Sequence, residues 1–337
     1  MKPTISVKTV LLLGAGALFV GLWSWWDIHF QRTLPPEGFF VRVEPGDTLS
    51  TVANQLAKGG FLSGTGNFTL WARALGSERR LRPGDYLFRG LLSPRELLAE
   101  LESGRLGRQQ FTIREGDSLA DVARRFSERG FGGADVFRCA LESERLRTRV
   151  GSPPTGLEGY LFPDTYYFAW SEEAEAIVGN MIDRFLEQTR DLHEARQRVG
   201  LSVHEMVTLA SIIEKETAVP EERPLVSAVF HNRLRQGMKL QADPTAMYGS
   251  RRDGPPGPAD LQADHPYNTY RHFGLPPGPI CNPGRASLEA AVNPAPVDYL
   301  YFVARGDGTH AFGRSIEEHN RNVSRLRANQ DQRGHSR

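Results

Sequence analysis

Hydrophobic positions along this chain fall into three successive patterns, and each predicts a different kind of element. Thr9–Trp26 is a run of eighteen residues without a charge. As a helix it would be about 27 Å long, enough for the core of a bilayer. From Phe39 onward, short apolar runs alternate with Gly-Asp turns and short amphipathic stretches, which predicts small strand-and-helix units. From Ser171 the period turns helical. Glu172–Ala195 carries Ile177, Met181, Ile182 and Phe185 on one side. The span from about Glu221 to Gln236 carries Leu225, Val226, Val229, Phe230 and Leu234, and Gly237 ends it. The chain closes with a short helix at Ala286–Val292 and a strand at Tyr299–Ala304. That strand turns at Gly306–Gly308 and returns through His310–Phe312 as a hairpin. Ser315 then caps a last helix, with Glu318 at the box position. The tail from about Gln330 is polar and expected to fray. The fold class this predicts is α+β.

The most fully specified stretch is Leu201–Thr217, LSVHEMVTLASIIEKET. Ser202 and Glu205 form a capping box, and Leu201 with Met206 a hydrophobic staple. Pro220 forbids continuation beyond the far end. Met206, Leu209 and Ile213 share a face, with Ala210 and Ile212 at its borders. One turn further the stripe lands on Glu216, a carboxylate where an apolar residue is due. Glu214 lies about 200° round the helix, beside Ser211 and Val207, so the two acids cannot share one role. A glutamate on the buried stripe is desolvated, and the negative end of the helix dipole adds to the effect. Both favour an acid that keeps its proton near neutral pH, as a general acid for glycosidic cleavage requires. On spacing by itself, Glu-Lys-Glu at a helix end reads first as a solvated charge run.

Two earlier segments echo each other seventy residues apart: Val43–Ala53 (VEPGDTLSTVA) and Ile113–Ala123 (IREGDSLADVA). Each reads as a strand, a Gly-Asp turn and a helix begun by Thr or Ser. The first copy continues with a helical stretch at Asn67–Leu75 and a strand at Pro83–Phe88. Its strand-helix-helix-strand order resembles a LysM module, and that resemblance implies contact with glycans containing N-acetylglucosamine. A small spacer is the other reading, and both stay open. The second copy runs through a helix near Ala134–Ser143 to an expected closing strand at Glu158–Phe162. The aromatic cluster Pro163–Phe168 follows.

Charge adds an exclusion. Forty-one basic residues against forty acidic ones leave a formal net charge of +1, which makes no case for nucleic acid as a partner. Lys2 and Lys8 precede the apolar run and Trp23, Trp25 and Trp26 crowd its far end. This predicts a single-pass anchor with a cytoplasmic amino terminus and everything after Asp27 outside. No small-x-small site follows, so an uncleaved anchor is favoured over a signal peptide. Cys139 and Cys281 are expected to be unpaired thiols, and two isolated cysteines are no metal signature. His204-Glu205 begins like a zinc motif but lacks the second histidine. His231 reads as surface or satisfied core.

The residues 240–284 are rich in Pro, Gly, amides, hydroxyls and tyrosines, a mix suited to walling a sugar site. The motifs ASIIEKETAVPEER, VFHNRL, LQADPTAMYG, YNTY, GLPPGPICNPG and YLYFVA, in that order, resemble the YceG-like family, the endolytic murein transglycosylases of bacteria. The resemblance spans nearly the whole chain. It implies Glu216 as the catalytic acid, with Gln241, Asp243, Thr245, Asn268 and Tyr270 as candidate sugar contacts. It implies no metal and no cofactor. The implied reaction is cleavage of the MurNAc–GlcNAc bond within nascent strands, leaving 1,6-anhydro ends and limiting strand length. Peptidoglycan strands are the implied partner, at the periplasmic face of the inner membrane near the synthases.

The expected organisation is a cytoplasmic tip (1–8), an anchor (9–26), a stalk (27–38) and a LysM-like module (39–104). A second α+β segment (105–170), a catalytic domain (171–330) and a tail (331–337) follow. Two other readings stay open: a hydrolytic muramidase using Glu216 and Asp243, and a non-catalytic, membrane-tethered glycan-binding scaffold.

Overall fold

The computed structural model describes residues 7–35, 38–104, 109–129, 134–169, 172–250 and 254–334. They form an α+β chain of helices and small two-stranded sheets that divides into two compact units, residues 1–110 with 167–172, and residues 111–166 with 173–337.

In the first unit the apolar run falls within a helix, Val7–His29. Leu18, Phe19, Val20, Leu22, Trp23, Trp25 and Trp26 are all exposed on it. Among the described residues no helix is long and apolar enough to cross a membrane. The side chains of residues 7–15 and 17 lie outside the described ones, as does most of the expected tip. The helix ends at a fastened point. Asp27 takes hydrogen bonds from Asn67 (3.1 Å) and Ser63 (3.4 Å) and an ion pair from Arg32.

Phe39–Val43 and Gly84–Phe88 pair antiparallel, with Val41 opposite Tyr86. The helices Leu49–Lys58 and Thr65–Ala74 lie between them in sequence, as the alternation predicts. Strand Phe39–Val43 alternates strictly between buried and exposed, so its inward residues join Leu49, Val52, Leu56, Phe68 and Leu97 in one core.

The echo between the two copies is physical. In each, an aspartate accepts the backbone N–H three residues before it: Glu44 to Asp47 at 2.9 Å and Arg114 to Asp117 at 2.7 Å. The intervening Gly46 and Gly116 both take positive φ, the αL turn that glycine allows without strain. Thr48 then caps Leu49–Lys58, and Ser118 caps Leu119–Glu128.

The second unit corrects one expected strand. Glu158–Phe162 is a buried turn, and the extended segment comes three residues later, at Thr165–Phe168. The cause is local. Leu161 N–H goes to Asn282 Oδ1 at 3.0 Å instead of to a ladder, and Gly159 takes φ +85°.

Around this turn the helices gather as the 3.6-residue period predicts, with displaced ends. Glu172–Ala195 resolves into Ala174–Thr189, a 3-10 turn and His193–Val199. The next helix is Arg223–Arg235, after a 3-10 turn at Pro220–Glu222. The short helix is Arg285–Val292, and the hairpin pairs Tyr301–Ala304 with His310–Gly313. The last helix runs Ile316–Gly334, past the expected fraying point, with Glu318 N–H on Ser315 Oγ at 3.3 Å. Cys139 is exposed, Cys281 is buried, and both are free.

Gly159 is a position where no side chain fits. A Cβ there would lie 2.6 Å from Pro279 Cβ and 2.7 Å from Val207 Cγ1. With its positive φ, Gly159→Ala is expected to destabilise the protein by about 2–3 kcal/mol. The denaturant midpoint should fall at constant m-value.

Candidate active site

The helix that ends at Glu216 spans Val203–Glu216. Its start is built as the sequence specifies. Glu205 N–H reaches Ser202 Oγ at 3.2 Å and Ser202 N–H reaches the Glu205 carboxylate at 2.7 Å. Its burial goes beyond a stripe. Every residue from Met206 to Ile213 is buried, because Arg285–Val292 and Arg223–Arg235 pack against it together with the shorter elements. The face carrying Val207 and Ser211 is therefore closed as well. Ser211 Oγ takes the Ile280 N–H at 3.0 Å.

Both glutamates at the helix end thus leave bulk water, and their partners separate them. The Glu214 side chain is 7% exposed, pairs with Arg223 at 3.5 Å and accepts the Gly284 N–H at 2.9 Å. Arg223 is held in turn by Ser287 at 3.2 Å. Glu115 packs against the same Gly284, where a Cβ would lie 2.0 Å from its carboxylate oxygen. Burial first, and then the Glu214 charge, push the Glu115 carboxyl up. This acid-rich knot fastens the helix to its surroundings.

Glu216 is different. It is partly enclosed, and its proton affinity is pushed up to about 8. Burial is the largest cause and the neighbouring Asp243 carboxylate the second. The Arg233 charge and a hydrogen bond from the Asp243 backbone N–H oppose them. The next residue, Thr217, leaves the helix in an extended conformation. Its hydroxyl donates to Glu222 at 3.4 Å, and Glu222 also binds His310 through the backbone N–H (2.8 Å) and the ring (2.6 Å). The hairpin therefore fixes the turn directly after the acid.

Of the loop residues expected around this acid, three are open to solvent or partly so and two are scaffold. Asp243 begins the helix Asp243–Met247 and is exposed; the partly buried Tyr270 donates its hydroxyl to Asp243 Oδ1 at 2.5 Å. Burial, and the bond to Asp243, push the Tyr270 hydroxyl up. Gln241 is exposed and held at φ +48°, with its N–H on Thr269 C=O at 3.2 Å.

Thr245 and Asn268 are enclosed. Thr245 Oγ1 bonds Ala242 C=O at 2.6 Å and Thr269 Oγ1 at 2.7 Å. Asn268 Nδ2 donates to Asp260, Leu261 and Ala263 carbonyls, and its Oδ1 takes the Tyr270 N–H at 3.0 Å. These two side chains shape the loops that carry Asp243 and Tyr270. Of the Asp253–Pro258 loop, Asp253 lies outside the described residues.

The histidines with a possible metal or catalytic reading are occupied. His204 bonds the Tyr160 hydroxyl at 3.1 Å and Pro277 C=O at 2.8 Å, and His231 bonds Ala291 C=O at 2.8 Å. The residue missed in the sequence is Arg233. It is buried, donates to Leu300 C=O (2.7 Å) and Leu240 C=O (2.5 Å), and lies over the Tyr301 ring at 5.3 Å. Burial lowers its proton affinity. Its signal was present: a cation three residues after Phe230 on a core-facing helix breaks the pattern just as Glu216 does.

The arrangement can hold a proton at Glu216, release it toward a bound oxygen, and steady the resulting carboxylate with Arg233 and the Asp243 N–H. Comparison with known proteins places it. The model of the YceG-like family matches residues 41–325. The endolytic murein transglycosylase of Bacillus subtilis (strain 168) is 31% identical over 302 residues, 83% of this chain and 82% of that protein. Its namesake from Streptococcus pneumoniae serotype 2 (strain D39) is 28% identical over 317 residues, 84% of this chain and 57% of that protein. The crystal structure of a yceG-like protein from Listeria monocytogenes superposes with a TM-score of 0.60 at 30% identity, covering 85% of this chain and 99% of that one. A match of this extent, in sequence and in fold, makes the chain a member of the YceG-like family.

Proposed function

We propose that this chain is a membrane-tethered lytic transglycosylase of peptidoglycan in which Glu216 serves first as acid and then as base. The observation that carries the reading is the state of Glu216. It is partly enclosed, protonated up to about pH 8, and set beside exposed polar residues of two loops. The relatives named endolytic murein transglycosylase supply the substrate class.

In the proposed reaction, Glu216 gives its proton to the oxygen between N-acetylmuramic acid and N-acetylglucosamine as the bond to the muramoyl anomeric carbon breaks. The muramoyl C6 hydroxyl attacks that same carbon, and Glu216 takes the hydroxyl proton. The proton balance closes on one residue, so no second carboxylate is needed to activate water. Asp243 keeps the proton affinity of Glu216 high. Arg233 lowers the cost of the transient carboxylate. Gln241, Asp243 and Tyr270 face the sugar, with Thr245 and Asn268 positioning them.

The rest of the chain fits delivery. The unit built on Phe39–Val43 and Gly84–Phe88 is LysM-like in its order of elements and takes glycan or spaces the enzyme from the membrane. The uncharged run Thr9–Trp26, with its exposed tryptophans, anchors it in the inner membrane with the bulk in the periplasm, near the synthases.

Digestion of purified glycan strands by the full-length protein in detergent, read by mass spectrometry, tests this. Wild type is expected to leave 1,6-anhydro ends, and Glu216→Gln none. Glu214→Gln should lower stability while the folded enzyme keeps making anhydro ends. Reducing ends would mean hydrolysis, and product from Glu216→Gln would mean the wrong acid was chosen. Activity should fall as pH rises through about 8, where Glu216 loses its proton.

Stability carries the same signature. The native carboxyl binds its proton up to about pH 8, whereas the unfolded one releases it near 4.5. Between those values the unfolded state holds fewer protons, so stability falls as pH rises. Glu216→Gln removes that slope. Its unfolding temperature relative to wild type is expected to rise across this window and level off above it.

A further inference from the structure

Glu158 takes no part in the chemistry above, yet its carboxyl is strongly enclosed, 6% exposed. Charged side chains are seldom so buried without a partner of opposite sign. Among the described residues no Lys, Arg or His forms an ion pair with it. Its partners are hydrogen-bond donors from different parts of the chain. The N–H of Leu119, first residue of the helix Leu119–Glu128, reaches its two oxygens at 3.0 and 3.2 Å. The Gly159 N–H adds a local bond. The Tyr248 hydroxyl donates at 3.2 Å. Burial pushes the Glu158 carboxyl up to about 7, Asp121 adds to that, and these donors work against it.

Tyr248 gives this contact its reach. It directly follows Asp243–Met247, the five-residue helix whose first residue touches Glu216. Its ring lies 4.5 Å from the ring of Tyr267, which opens the loop ending at Tyr270. The two segments meet again at their far ends, where the Tyr270 hydroxyl binds Asp243. Helix, touching rings, loop and hydroxyl thus close a ring beside the acid. Glu158 grips that ring from a separate stretch of chain, one that Gly159 packs tightly against Val207 of the Glu216 helix and against Pro279.

We propose that Glu158 is a positioning residue for the cleavage reaction: through Tyr248 it sets where Asp243 and Tyr270 stand relative to Glu216. The proposal rests on the transglycosylase reading for its main readout. Chemistry favours a carboxylate in this role. Its two oxygens accept donors from the helix start and from Tyr248 together. A glutamine offers one oxygen and turns an NH2 toward donors.

The test uses the full-length protein in detergent, with kcat and KM measured from anhydro ends. Tyr248→Phe keeps the ring and its contact with Tyr267 and removes only the donor. Glu158→Gln keeps the size. Each is expected to lower kcat roughly tenfold with KM changed less than about twofold, because a small misplacement of reacting groups acts on the chemical step. The double variant should be no slower than the slower single one, since both break the same link. A Glu158 that merely caps its helix would instead give wild-type kcat in Tyr248→Phe, and losses that multiply in the pair would mean the two residues act separately; either result overturns the proposal. If Glu158→Gln does not fold, the kcat of Tyr248→Phe decides by itself.

A second readout needs no activity. Glu216 titrated by carbon NMR in Tyr248→Phe should have its pKa fall toward the ordinary carboxylate range as its wall loosens and water enters. If wild type yields no anhydro ends, the functional reading has failed, and this titration still decides the positioning: an unmoved Glu216 rejects it.

Discussion

A carboxyl withheld from water at the carboxy end of a buried helix is the constraint on which this structure depends. Burial and the Asp243 carboxylate raise the free energy of the ionised Glu216, and they outweigh the Arg233 charge and the Asp243 N–H that favour it. The helix before it is buried from Met206 to Ile213, its dipole places negative potential at the same end, and Asp243 stands beside it. Such an arrangement works against stability. It persists because the surrounding bonds over-determine it, through the Glu222–His310 contact after the acid and the Glu214–Arg223 pair before it.

The division between Glu214 and Glu216 shows how little burial says about role. Both are shielded and both lie in one helical turn. Glu214 meets a guanidinium and a backbone N–H, which hold it as a structural brace. Glu216 meets an N–H and another carboxylate, while Arg233 directs its hydrogen bonds at carbonyl oxygens. A buried acid becomes a proton donor when its neighbours fail to neutralise it.

The loops between residues 240 and 284 follow a similar division. Enclosed polar side chains satisfy backbone groups so that a few others can stay uncommitted. Thr245, Thr269 and Asn268 bond backbone atoms and one another, and Gln241 is held in the left-handed region by the chain on either side. For a non-glycine residue that conformation costs on the order of 1 kcal/mol. It places an amide at the surface beside Asp243.

Much of this was legible in the residue order, because local rules act over a few positions. The capping box of Ser202 and Glu205, the echoed Gly-Asp turns, the terminal hairpin and the misplaced charge at Glu216 are all encoded within a turn or two of chain. Tertiary structure decided what depends on partners far away in sequence. It moved the expected Glu158–Phe162 strand to Thr165–Phe168, because Leu161 found Asn282 instead of a ladder. It enclosed Thr245 and Asn268 among the loop backbone they bond, and it closed the second face of the Glu216 helix. It also brought Arg233 to the acid and Glu158 to Tyr248, ninety residues apart. Periodicity reports which side of an element is apolar. Which distant group fills the space opposite, and so whether a carboxylate is braced or left holding its proton, is set by packing.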